Sequence, residues 1–248
     1  MPIFNTVDDT VNAKIGGSNF GFSHIKVERL KANEYTLVTI AIDISGSISG
    51  YQSQLAQMLN TIVDACRPPK NPRGDNLLLR VIVFNDYVKE VHGFLPVTSI
   101  QQYDDSDLHT GGGTALIDSL YSAIASTKTY GEDLVDQDYD VNAVTFVATD
   151  GQDNASSYTL AKVKAELEAV ATEEKLDSYQ TVLIGLGSNL DHYLTRVKDD
   201  GGLSQVVLLG DVTTGKLGKL AGFISKSISS SSQSLGTGAP APAASMVF

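Results

Sequence analysis

The clearest pattern along the chain is a series of short apolar, β-branched runs separated by segments whose apolar residues recur at helical spacing. Tyr35 to Asp43 reads YTLVTIAID and is almost wholly apolar, as expected of a strand buried on both faces. Leu77 to Phe84 and Val141 to Thr149 repeat the pattern, and Thr181 to Gly185 and Gln205 to Leu209 are shorter versions. Val88 to Leu95 follows the second run across an Asn85-Asp86 turn, which predicts an antiparallel partner. Between the runs, Leu55, Met58, Leu59, Ile62 and Val63 predict a helix from about Tyr51 to Arg67, stopped by Pro68-Pro69. Further helices are marked by Leu116, Leu120, Ala123 and Ile124, and by Leu160, Val163, Leu167 and Val170. Leu190 to Val197 and Lys216 to Ile228 complete the set. Strands alternate with helices from Tyr35 onward, so the expectation is an α/β domain with a mostly parallel sheet covered on both faces.

The ends read differently. Residues 1–19 are small, polar and glycine-containing and are expected to form a flexible arm, after which loose alternation from Phe20 to Leu30 suggests an edge strand. Residues 231–248 are rich in Ser, Gly, Ala and Pro and are expected to be a flexible tail, leaving residues 20–230 as the domain. A length of 248 residues with 42% hydrophobic content suffices for one large core. The formal net charge of -11, with no dense basic run, argues against a nucleic-acid partner. No run approaches the ~20 apolar residues of a membrane span, and the N-terminus lacks the basic and apolar regions of a secretory signal. No membrane partner and a cytoplasmic location are therefore expected. The single cysteine, Cys66, falls on the apolar stripe of the first helix and reads as core.

Three loops at the ends of predicted strands carry the candidate chemistry, where open α/β sheets place their ligands. Asp43-Ile44-Ser45-Gly46-Ser47 offers a carboxylate and two alternating hydroxyls, hard oxygens of the kind Mg²⁺ takes. The same residues could simply make a serine-rich turn capping the next helix. Gly111-Gly112-Gly113-Thr114 permits close backbone approach, with Thr114 either an N-cap or an oxygen facing a metal. Thr149-Asp150-Gly151 places Asp150 as a ligand, directly or through water, or as part of an Asp-Gly turn.

Together these residues resemble the metal-ion-dependent adhesion site of von Willebrand factor A (VWA) domains: a DxSxS loop, a later Thr, and an Asp in a TDG-type turn. The matching positions are Asp43, Ser45, Ser47, Thr114 and Asp150, and the resemblance extends from about Tyr35 to Ile228. It implies a Rossmann-like doubly wound sheet with Mg²⁺ at its top, Mn²⁺ or Ca²⁺ being the alternatives. It further implies a protein partner that supplies an Asp or Glu carboxylate to the ion. The GGGTAL stretch and the ISKSISSSSQSLGTG segment are similar to VWA proteins of tellurium-resistance and stress operons, which implies a cytosolic adaptor.

Other signals are weaker. Gly210 to Lys216 spells GxxxxGK, but Leu217 stands where a phosphate loop needs a hydroxyl. Asp136, Asp138 and Asp140 alternate like a Ca²⁺ loop yet lack its glycine and its final glutamate. His24, His92, His109 and His192 have no metal-ligand spacing. The alternative to a binding module is a Mg²⁺-dependent phosphohydrolase on the same loops, but no nucleophile or base is apparent beside them. A non-enzymatic role is the expectation.

Overall fold

The computed structural model describes residues 9–173, 175–210 and 213–234. Its strands are β1 (Thr10–Lys14), β2 (Gly21–Ile25), β3 (Glu34–Asp43), β4 (Leu77–Phe84), β5 (Val88–Pro96), β6 (Asp140–Thr149), β7 (Ser178–Gly185) and β8 (Gln205–Leu208). The helices are α1 (Gln52–Cys66), α2 (Leu116–Val135), α3 (Leu160–Glu173), α4 (Asp191–Gly201) and α5 (Thr214–Ser234). The strands form one sheet in the order β1-β2-β5-β4-β3-β6-β7-β8. Strands β4, β3, β6, β7 and β8 run parallel, β5 is antiparallel to β4, and β1 is antiparallel to β2. The expected doubly wound α/β architecture is thus present. None of the described helices is long and apolar enough to cross a membrane.

Strand β3 shows why both faces are covered. Val38, Ile40 and Ile42 point into a core closed by α1 and α5, while Leu37 and Ala41 point into a second core closed by α2, α3 and α4. Because side chains alternate across a strand, only a near-continuous apolar run can serve two cores. Helix α1 contributes Leu55, Met58, Leu59, Ile62, Val63 and the buried Cys66 to the first core. Each fully buried aliphatic side chain of this kind stabilises the fold by roughly 1.5–3 kcal/mol.

A polar row crosses the sheet within the second core. Arg80, Thr39, Thr145 and Thr181 are neighbours in register on β4, β3, β6 and β7. Arg80 is 1% exposed, and its guanidinium donates to Glu90 Oε2 (2.7 Å) and Ser126 Oγ (3.0 Å). Thr39 and Thr127 hydroxyls pair at 2.8 Å, and Thr145 pairs with Tyr179 at 2.9 Å. Every hydroxyl in this row has a partner, which removes the penalty of burying it.

Two boundaries differ from expectation. Residues 10–14, expected in a mobile arm, form β1, and β2 is therefore an inner strand rather than the edge. The cause is backbone pairing: β1 has little apolar content, but its five residues pair with β2 while Ala13 packs at the core margin. Residues 1–8 lie outside the described residues. At the other end, α5 continues to Ser234, beyond the expected boundary at 230, with Ser231 and Ser232 buried. Earlier in the helix the Ser225 and Ser227 hydroxyls donate back to the Ala221 and Phe223 carbonyls. In addition, the Asn142 side-chain amide on β6 donates to the Ser231 carbonyl at 2.8 Å. Residues 235–248, the remainder of the expected tail, lie outside the described residues.

Candidate functional site

The sheet order places β4 on one side of β3 and β6 on the other, so the chain after β3 meets a topological switch point. The loops that follow β3 and β6 meet there. Asp43, the last residue of β3, is fully buried, and the Ser45 N–H donates to its Oδ1 at 2.8 Å. The Thr149 hydroxyl, at the end of β6, donates to its Oδ2 at 2.6 Å. Burial pushes the Asp43 carboxyl above the ordinary value; the bonds from Thr149 and Ser45 pull it back, and the Asp150 charge adds to the rise.

In front of Asp43 stand three oxygens. Ser45 Oγ and Ser47 Oγ are 3.0 Å apart, Ser47 Oγ donates to Asp150 Oδ1 at 2.9 Å, and Ser45 Oγ lies 3.5 Å from the same atom. Four of the five residues picked from the sequence are thus joined in one cluster. Thr114, the fifth, lies against Gly151: a Cβ on Gly151 would stand 3.3 Å from Thr114 Oγ1. The Thr114 hydroxyl makes no hydrogen bond to the other four. Among the described residues no group of three or more His, Cys, Asp and Glu side chains comes together as a ligand set. The donors here are two carboxylates and three hydroxyls.

The Thr114 loop is held by residues whose role the sequence did not announce. Asn154 Oδ1 accepts from the Thr114 N–H at 2.8 Å, and the Thr114 carbonyl accepts from the Asn154 N–H at 3.0 Å. Asp86 Oδ1 accepts from the Gly113 N–H at 2.8 Å, and the Asn85 side chain donates to the Gly111 carbonyl at 2.9 Å. The glycines are needed: Gly112 has φ +79°, and a Cβ on it would lie 2.0 Å from Asp86 Oδ2. Asn85-Asp86 reads in sequence only as a hairpin turn, and no local pattern marks Asn154. Thr149 is visible as the first residue of the TDG turn, though not its bond to Asp43.

Between β5 and Thr114 the chain climbs back along α1 and is stitched to it. Arg67, just past the helix, donates to the carbonyls of Val97 and Ile100. The Asn60 side chain donates to the Tyr103 carbonyl and accepts from its N–H, both at 2.9 Å. Ser53 donates to Asp105 and Gln52 to Thr110, each at 2.8 Å. Residues 53, 60 and 67 are spaced by two helical turns and so fall on one stripe. His92 on β5 adds a tie: its Nδ1–H donates to the Gly93 carbonyl and its Nε2 accepts from the Tyr103 hydroxyl at 2.6 Å. Burial lowers the pKa of this imidazole, in keeping with the neutral form.

The weaker sequence signals stay apart from this cluster. Leu217 is a core residue, and within the GxxxxGK stretch Asp211 and Val212 lie outside the described residues. Asp136 is paired with Lys175 at 2.9 Å, and Asp138 occupies a left-handed turn.

No family model and no curated protein matches the chain. Solved structures do. A von Willebrand factor type A protein from Catenulispora acidiphila aligns with TM-score 0.54 and 15% identity over 79% of this chain and 43% of that one. The PilB minor pilin from Streptococcus sanguinis aligns with TM-score 0.55 and 13% identity, over 83% and 64% respectively. The ArnB paralog VWA2 from Sulfolobus acidocaldarius gives 0.51 and 12%, over 78% and 45%. The chain therefore spans between 43% and 64% of the length of these structures. At such identities the likeness is one of fold, and the fold is VWA-like: a mostly parallel, Rossmann-type sheet between two helical layers.

Proposed function

We propose that this chain is a metal-dependent protein-binding module in which Mg²⁺ is held by Ser45, Ser47, Thr114 and Asp150, with Asp43 behind them, and accepts a carboxylate from a partner. The observation that carries this reading is the spacing of the three front oxygens. Neighbouring ligands of an octahedral ion with bonds of about 2.0–2.1 Å lie about 2.9–3.0 Å apart. Two edges of the triangle of front oxygens match, Ser45–Ser47 at 3.0 Å and Ser47–Asp150 at 2.9 Å, while the third, Ser45–Asp150, is wider at 3.5 Å.

The donor set supports the carboxylate grip. Two carboxylates offset the charge of a divalent ion while three neutral hydroxyls add none, so its open side still favours an anionic oxygen. When bound, the ion supplies a directional, charge-assisted contact to that oxygen. The protein's part is to hold the hydroxyls: Asp43 orients the Ser45 backbone, Thr149 orients Asp43, and Asn154 fixes the Thr114 backbone. The side chains of the cluster are hydroxyls and ligand carboxylates, which favours binding over hydrolysis. The narrower setting, a cytosolic adaptor of a bacterial tellurium-resistance or stress system, rests on the GGGTAL and serine-rich stretches.

The test is calorimetry with Mg²⁺ and Mn²⁺ on the wild type and on Asp43→Ala and Ser47→Ala, with folding checked by thermal melting. One site per chain is expected, abolished by Asp43→Ala. Unchanged affinity in both variants would falsify the assignment.

A further inference from the structure

Tyr87 is 79% exposed, and the other exposed large hydrophobic among the described residues, Val11 at only 41%, lies on β1 at the far edge of the sheet. An exposed tyrosine alone needs no explanation. This one, however, sits in the turn that braces the Thr114 loop of the candidate metal site. Phe84 is level with Asp43 in the β3–β4 register and pairs with Val88 on β5, so the turn at residues 85–87 lies just beyond the strand ends, with Tyr87 opposite Asn85 on its β5 side. Its backbone is fixed: its N–H donates to Asn85 Oδ1 at 3.2 Å, and its carbonyl accepts from the Asn85 N–H at 3.1 Å. The same turn is locked to the Thr114 loop. Asn85 accepts from the Ala115 N–H at 2.7 Å through its carbonyl, and Asp86 accepts from the Gly113 N–H at 2.8 Å. The ring is therefore carried on a rigid base adjoining Thr114, where little backbone entropy is lost on contact. Aromatic side chains held this way are the usual anchors of protein interfaces.

Charge decides what the ring would meet. The four loops that gather here, residues 43–51, 85–87, 101–115 and 150–159, contain seven aspartates and no lysine or arginine. A partner that brings only a carboxylate enters against that field, whereas a neighbouring cation on the partner offsets it. A guanidinium or ammonium placed over a tyrosine face gains cation–π attraction, and the Asp86 carboxylate is the next residue along.

We infer that Tyr87 is the second anchor of the binding face, and that the partner is a protein segment in which the metal-seeking Asp or Glu is neighboured by an arginine or lysine that lies on the Tyr87 ring. This inference rests on the carboxylate-grip reading above. The probe is a phage-displayed library of random peptides, panned on the full chain in Mg²⁺ and eluted with EDTA. Recovered peptides should carry an acidic residue with Arg or Lys within a few positions. Their affinity should fall at least tenfold on Tyr87→Ser and be kept on Tyr87→Phe, with Mg²⁺ affinity and melting temperature unchanged in both. EDTA-eluted peptides without that basic enrichment, or binding Tyr87→Ser at full strength, overturn this inference alone. A library yielding no EDTA-eluted binder overturns the carboxylate grip and this inference with it.

Discussion

Thr149 and Asp43 stand at the ends of β6 and β3, and the Thr149 hydroxyl donates to the Asp43 carboxylate at 2.6 Å although 106 residues separate them. Both are fully buried, so neither oxygen has water as a substitute partner. Thr149→Val keeps the shape and removes the donor. It should cost about 1–3 kcal/mol, the penalty for a buried polar group left unsatisfied, and should weaken Mg²⁺ binding by misorienting Asp43. Thr149→Ser should retain both properties. Urea denaturation and calorimetry measure them; a Thr149→Val protein of wild-type stability would show that the bond is incidental.

The Arg80–Glu90 pair should behave as a unit. Glu90 receives Arg80 through Oε2 at 2.7 Å and the Ser23 N–H through Oε1 at 2.9 Å, tying β4, β5 and β2 together. Burial lowers the Arg80 pKa, and the adjacent Glu90 charge counters it. Glu90→Ala leaves that guanidinium without its counter-charge and should destabilise by about 3 kcal/mol. The double variant Arg80→Met/Glu90→Ala should lose less than the sum of the single losses. Additive losses in denaturant titrations would mean the two residues act independently.

Stability should also depend on pH through Glu132 and Glu173. Burial raises the Glu132 carboxyl to about 7, its hydrogen bond to Glu173 adds to the rise, and Lys128 opposes it. Glu173, accepting that bond, is held low. The pair thus shares one proton carried on Glu132. From the ordinary glutamate value up to about 7 the folded chain binds more protons than the unfolded chain, so stability falls as pH rises through that window. The low Glu173 value acts with the opposite sign, and only at more acid pH. Glu132→Gln should flatten the melting-temperature profile across the upper window; an unaltered slope there would refute the shared proton.

A chain stopped after Ser230 should be less stable than one stopped after Ser234. The shorter chain lacks the Ser231 carbonyl that accepts from Asn142 at 2.8 Å. Losing a buried acceptor costs about 1–3 kcal/mol, and each kcal/mol lowers the melting temperature by roughly 2–4 °C at this chain length. Equal melting temperatures would show that the last turn of α5 contributes nothing.

The parts of this protein legible in its sequence are those with a local period. The strands Tyr35–Asp43 and Leu77–Phe84 and the helix Gln52–Cys66 follow from apolar spacing, because each must bury one or both faces. The buried row through Arg80, Thr39, Thr145 and Thr181 does not, since each residue interrupts an apolar run and its partner is supplied by a neighbouring element. The same limit hid β1, whose stability lies in backbone pairing with β2, and the last turn of α5, which depends on Asn142. At the candidate site the resemblance marked the five oxygen-bearing residues, while Asn154 and Asp86, which orient the Thr114 loop, act across tens of residues and left no local trace.

Because β5 runs against β4, the chain leaves it at the wrong end of the domain and must travel the full height of α1 to deliver Thr114. That return path has no strand or α-helix of its own to stiffen it; the stripe through Ser53, Asn60 and Arg67 serves as its handrail. A genetic screen for lost binding would therefore return lesions in the middle of a helix, remote from any ligand. Asn60 is the one to watch: an aspartate there keeps the size but turns a donor toward the Tyr103 carbonyl into an acceptor, and the slack would be felt at the far end of the path.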